Sequence, residues 1–300
     1  MAAKCKDIMN IKRLTGADLS ATRRFLLEKC FVPGQGFLSQ YVGQSTVSCA
    51  TTAICIYALC EMGQLTQQQK VEFRDVLLRF RKVGGAGAFP RTTGAAPSVW
   101  TTGQAVLALL SLETRWDLVK PSVEWLLRAQ SPDGGWIYAG THEGRERLIY
   151  AFYPTLVFMR CRRRMSTSVA HALSRVHAFL RSCEELQDPF WVPLRRHLLH
   201  LVDGKNRRKD AHNISLDAYG QLFEENWPVA HVDEDWLSTR FSMALMCGPN
   251  YLHLRPQIEA DHPLALLHIR YLADERIETG WNDRREHHVR GPVGSEFSAS

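Results

Sequence analysis

The chain has 300 residues, 45% hydrophobic and 23% charged, which excludes a disordered chain, a collagen and a coiled-coil rod. A chain of this length buries about three quarters of its unfolded surface, so it folds without needing disulfides or a metal. Its net charge of +6 is too mild to imply nucleic acid.

No run of about 18 apolar residues occurs, so no membrane span is expected. Met1 to Asp7 lacks the apolar stretch of a secretory signal, and a cytoplasmic location follows as the expectation. The eight cysteines form no CxxC pair and read as small buried hydrophobes. Two basic runs stand out: Arg160, Arg162, Arg163 and Arg164, then Lys205, Arg207, Arg208 and Lys209. Each is either a solvated face or a site for an anionic partner.

In chain order, residues 1–16 form an N-terminal segment and a repeating pattern fills 17–282. Phe25-Leu26-Leu27 starts the first copy and leads to Gly36-Phe37. Ser48-Cys49-Ala50-Thr51-Thr52 then opens a helix running to Ala58-Leu59 that is apolar or small on nearly every side. A helix of that kind must be buried on nearly every side. Gln67 to Lys82 alternates charged and apolar residues, as an outer helix does, and leads to Gly84, Gly85, Gly87 and Phe89. Ser98-Val99-Trp100-Thr101-Thr102 begins a second buried helix, offset by 50 from the first at every position. In both, serine is the expected N-cap.

Val123 to Ala129 forms the next outer helix, closed by Gln130-Ser131-Pro132-Asp133-Gly134-Gly135-Trp136. The third hairpin carries Arg147, Tyr150 and Tyr153. Phe179-Leu180 leads to Phe190-Trp191, a further outer helix falls near His212 to Phe223, and Ile269 to Leu272 leads to Gly280-Trp281. Asp235-Trp236-Leu237-Ser238-Thr239 opens another buried helix. Residues 283–300 are a tail outside the fold, and Gly294-Ser295-Glu296-Phe297 within it reads as a cloning junction. Closing aromatics at 37, 89, 136, 191 and 281 lie 52, 47, 55 and 90 apart. The last gap is close to two periods with Trp227 a degenerate mark inside it, so the period is roughly 50, the length of one helical hairpin. The fold class is all-α, with about five to six hairpins and no strand pattern. Such an array either stays an open solenoid or closes into a ring of inner helices inside outer ones, and closure hides the apolar inner helices better.

Trp125-Leu126-Leu127 followed by Gln130, Gly134-Gly135 and Trp136 resembles the QW repeat of terpenoid cyclases and protein prenyltransferases. The resemblance implies a single α/α toroid over residues 17–282. It also implies a central cavity that binds or transforms an isoprenoid-type ligand, one with an apolar body and an anionic head. The motif itself is a stability device. Its glycines permit a tight exit from the outer helix, Trp136 lies across a seam between hairpins, and the Gln130 amide satisfies backbone groups.

The chemistry such a toroid carries makes distinct demands. An acid-initiated cyclase needs a carboxylic acid held protonated by its neighbours. Asp233, Glu234 and Asp235 are the candidate catalytic residues, although His231 stands where the family's first Asp belongs. The plain alternative is an acidic first turn complementing the helix dipole, with Asp235 as N-cap. Zinc-dependent prenyl transfer needs an Asp-x-Cys pair, which the chain lacks, and His197-x-x-His200 alone is no substitute. No metal or cofactor is therefore expected. Trp100, Thr101, Arg147, Tyr150, Tyr153, Trp236 and Arg240 are the candidate ligand-binding residues, the aromatics for the tail and the arginines for the head. The alternative function is a non-catalytic toroid acting as a sensor, scaffold or protein-interaction module.

Overall fold

The structure, a computed structural model, describes residues 23–38, 46–63, 65–84, 86–137, 144–183, 195, 198–199, 201–203, 276–277 and 280–281. These residues are predominantly helical. The chain divides into two compact units. One comprises Met1–Pro33, Phe37–Thr46 and Asn206–Ser300, and the other Gly34–Gly36 with Val47–Lys205.

In the second unit the helices are α1 (Cys49–Met62), α2 (Gln67–Gly84), α3 (Val99–Ser111), α4 (Trp116–Arg128), α5 (Gly144–Cys161) and α6 (Ser166–Ser182). They alternate in character as the hydrophobic pattern dictates. Helices α1, α3 and α5 are buried without a break over Cys49–Leu59, Thr101–Leu109 and Tyr150–Phe158, and these runs hold nothing more polar than threonine, tyrosine and one glutamine. Helices α2, α4 and α6 each bury one stripe. Phe73, Val76, Leu77 and Phe80 mark it on α2, Val119, Ser122, Val123 and Leu126 on α4, and Val169, Ala172, Leu173 and Val176 on α6. The spacing i, i+3, i+4, i+7 puts each set on one helical face.

The packing follows from that division. α1 lies against α3 and α3 against α5, forming an inner layer, while α2 packs on α1, α4 on α3 and α5, and α6 on α5. Arg160, near the end of α5, reaches Ser111 and Tyr57, near the ends of α3 and α1. The inner helices therefore run in the same direction. Both expected serine caps are present: Ser48 Oγ accepts from the Thr51 N–H at 3.0 Å and Ser98 Oγ from the Thr101 N–H at 3.4 Å. Thr66 and Gln69 form a reciprocal capping box at the start of α2, with bonds of 2.9 and 3.2 Å. At the far end of α6, the buried Arg195 donates to the Leu180 carbonyl at 2.6 Å, a cation placed where the helix dipole favours one.

The seams between hairpins repeat one device. An arginine of each outer helix donates to the exit loop of the preceding repeat: Arg79 to the Gly34 carbonyl at 2.6 Å, Arg128 to the Ala86 carbonyl at 3.5 Å, and Arg175 to Gln130 Oε1 at 2.5 Å. Gly87, at φ 94°, passes so close to Pro121 that a Cβ would overlap the Pro121 carbonyl. The QW segment is the fullest version. Gln130 Nε2 donates to the Gly134 carbonyl at 2.8 Å and to the Ala172 carbonyl of α6 at 3.1 Å. Trp136 is fully buried, donates Nε1 to the Leu126 carbonyl at 3.1 Å and packs its ring 5.7 Å from Phe158 of α5.

In the first unit, a π-helical turn at Leu26–Cys30 buries Leu26 and Cys30 and leads to β1 (Phe31–Val32). β2 (Gly36–Phe37) follows, with Gly36 assigned to the second unit and Phe37 to the first. The Leu38 N–H donates to the Cys30 carbonyl at 3.0 Å, and the rings of Phe31 and Phe37 lie 5.0 Å apart. β3 (Arg276–Ile277) and β4 (Gly280–Trp281) pair antiparallel. The sequence pattern announced no strands. These are two-residue pieces, too short for an alternating pattern, and both Gly-aromatic pairs sit in one.

Candidate functional site

The inner helices α3 and α5 bring three of the expected ligand-binding aromatics together. Trp100, the second residue of α3, meets Tyr153 edge-on at 4.5 Å between ring centroids and Tyr150 at 6.4 Å, with interplanar angles of 87° and 85°. These are the edge-to-face geometries that aromatic quadrupoles favour. Trp100 is half-buried, whereas Tyr150 and Tyr153 are buried.

Close approach of the two backbones makes the cluster possible. A Cβ on Gly103 would stand 2.6 Å from Tyr153 Cβ and 3.3 Å from Pro154 N. Pro154 lies inside α5 and cannot donate to the carbonyl four residues back, that of Tyr150. Thr155 Oγ1 donates to the Ala151 carbonyl at 2.6 Å in the same turn. Sequence reading passed over Gly103 and Pro154, although a glycine and a proline inside two successive buried helices were the available signal.

Thr101 is 1% exposed and Gln104, one turn further along α3, is 5% exposed. Among the described residues, Thr101 Oγ1 and Gln104 Oε1 have no hydrogen-bond partner. Gln104 sits four residues after Trp100, on the same helical face. It was not named as a site residue from the sequence, where it reads as one polar position in an otherwise apolar helix.

Arg147 has a different neighbourhood. Its guanidinium forms a two-pronged pair with Asp133, at 2.6 and 2.7 Å, and lies 5.1 Å from the Phe179 ring centroid. Arg147 Nε also donates to the Trp136 carbonyl at 3.5 Å. This pairing holds the Asp133 carboxyl below its usual range, and burial only partly opposes it. Arg147 is thus a strut of the QW loop.

A second three-helix meeting was not foreseen. Arg160 Nη1 donates to Ser111 Oγ at 2.7 Å and Nη2 to the Tyr57 hydroxyl at 3.4 Å, with the guanidinium 5.3 Å from the Tyr57 ring centroid. The neighbouring Arg162, Arg163 and Arg164 are exposed, and Arg164 stacks 5.3 Å from the Trp116 ring centroid.

Asp233, Glu234, Asp235, Trp236 and Arg240 lie outside the described residues, as do His197 and His200. Among the described residues, no group of three His, Cys, Asp or Glu side chains is placed to hold a metal ion. No described helix is long and apolar enough to cross a membrane. Compared with protein-family models and with curated proteins, the chain matches none.

Proposed function

We propose that the chain is an α/α toroid of the terpenoid-cyclase and prenyltransferase kind, whose central cavity receives an isoprenoid-type ligand. The observation that carries this reading is the Trp100–Tyr150–Tyr153 cluster on adjacent inner helices. Interleaved aromatic edges and faces suit a polyunsaturated apolar chain and any carbocation it develops. The alternation of buried inner and striped outer helices supports the toroid, and so does a QW segment acting as the seam between repeats. In this reading Trp236 and Arg240 are further ligand-binding residues. Asp233, flanked by Glu234 and Asp235, is the general acid that starts cyclisation.

Calorimetry and thermal shift of the full chain with farnesyl and geranylgeranyl diphosphate test it. Binding is expected, with Trp100→Ala weakening it and Arg240→Ala costing about 1.5–3 kcal/mol, the range for hydrogen bonds to charged groups. Asp233→Asn should abolish turnover and leave binding nearly intact. No heat and no thermal shift with either diphosphate or with the corresponding polyprenyl alcohols would overturn the reading.

The second reading, a protein-binding ring, is favoured by the α5–α6 turn. There Arg162, Arg163 and Arg164 are exposed and form no ion pair among the described residues. Three adjacent unpaired cations suit an acidic partner surface.

A further inference from the structure

We infer that the polar group recognised beside the aromatic cluster is a neutral hydroxyl, and that the ligand is a long-chain apolar alcohol held by Gln104 and Thr101. The inference rests on the aromatic-site reading above and specifies what that site selects. Gln104 and Thr101 are 5% and 1% exposed, and Gln104 Oε1 and Thr101 Oγ1 lack a partner among the described residues. A buried polar atom without a partner costs free energy that a ligand can restore, so two of them on one helix specify the ligand's chemistry. Their i, i+3 spacing places them as neighbours on α3, and Gln104 shares the Trp100 face through its i+4 relation.

A hydrocarbon would leave both atoms unpaired. A fully ionised diphosphate accepts hydrogen bonds but donates none, so it can pair with the Gln104 amide only through its nitrogen and leaves the amide oxygen unserved. It would also bring charge into a buried region where the expected cation, Arg147, is already engaged by Asp133. A hydroxyl donates and accepts. It satisfies the Gln104 amide in either orientation of its oxygen and nitrogen, and it can also pair with the threonine hydroxyl.

The test compares three probes of similar chain length on the full-length protein: farnesol, farnesyl diphosphate and the saturated hydrocarbon farnesane. Binding is read by tryptophan fluorescence and thermal shift. Farnesol should bind more tightly than farnesane. Gln104→Leu and Thr101→Val, each close in volume to the native side chain, should each weaken farnesol by about tenfold and leave farnesane no weaker. Because both variants remove an unpaired buried polar atom, they should melt no lower than wild type.

Farnesyl diphosphate binding without farnesol binding would overturn the hydroxyl inference while the aromatic-site reading stands. Failure of all three probes would overturn both. Unchanged farnesol affinity in both variants, or a marked fall in the melting temperature of both, would show that these groups serve the fold and would overturn the inference alone.

Discussion

Gly134 lies directly against the backbone of Arg175. Its φ is 96°, and a Cβ added there would overlap the Arg175 carbonyl. The contact joins the exit loop of one hairpin to the outer helix of the next, the same seam that Gln130 bridges through the Ala172 carbonyl. It is where the repeat period becomes a three-dimensional stacking rule. Gly87 against Pro121 obeys the same rule one repeat earlier.

Gly134→Ala should therefore lose stability twice, through the left-handed backbone and through the overlap, by about 2–5 kcal/mol. Gly94 is the control, with φ 84° and nothing within 4 Å of an added Cβ. Gly94→Ala should cost only about 1–2 kcal/mol, the backbone part alone. Equal midpoints for the two variants in chemical denaturation would mean that the Arg175 contact yields freely.

Trp136 should be the more costly aromatic to truncate. It is fully buried, hydrogen-bonded to Leu126 and packed on Phe158. Trp136→Ala should destabilise by about 3–5 kcal/mol. A melting temperature equal to wild type would mean that Trp136 is no seam residue.

Asp133 should govern the acid limb of stability. Its carboxyl is held below the usual range by Arg147. The stability it lends is fully present above the ordinary carboxylate value of about 3.9 and is lost as pH falls through the lower folded value. Asp133→Asn should flatten the fall in melting temperature below about pH 4 and barely change its slope at neutral pH. An acid limb identical to wild type would show that other carboxylates control it.

The buried thiols should be silent in the native protein. Burial pushes Cys30 and Cys161 each up to about 12. At pH 8 roughly one such thiol in ten thousand is ionised, and the thiolate is the reactive form. Alkylation followed by peptide mass spectrometry should find both cysteines unmodified until denaturant is added. Rapid native labelling at Cys161 would imply that the end of α5 opens readily.

Much of the helical architecture was legible in the sequence, because burial of a helix is written locally. The stripe of Phe73, Val76, Leu77 and Phe80, the unbroken apolar run of α3 and the serines at 48 and 98 each depend on neighbours within a few turns. Partner choice is not written that way. Arg147 has the composition of a head-group ligand, yet its closest partner is Asp133, in a loop 14 residues earlier. Arg160 meets side chains 49 and 103 residues away, and no periodicity encodes such separations. Gln104 shows the limit most sharply. The sequence determined that it sits on a buried helix, but only the tertiary structure decided that its amide oxygen finds no partner among the described residues. A side chain's hydrogen bonds depend on which helix comes to lie beside it, and that is settled by packing across the whole layer.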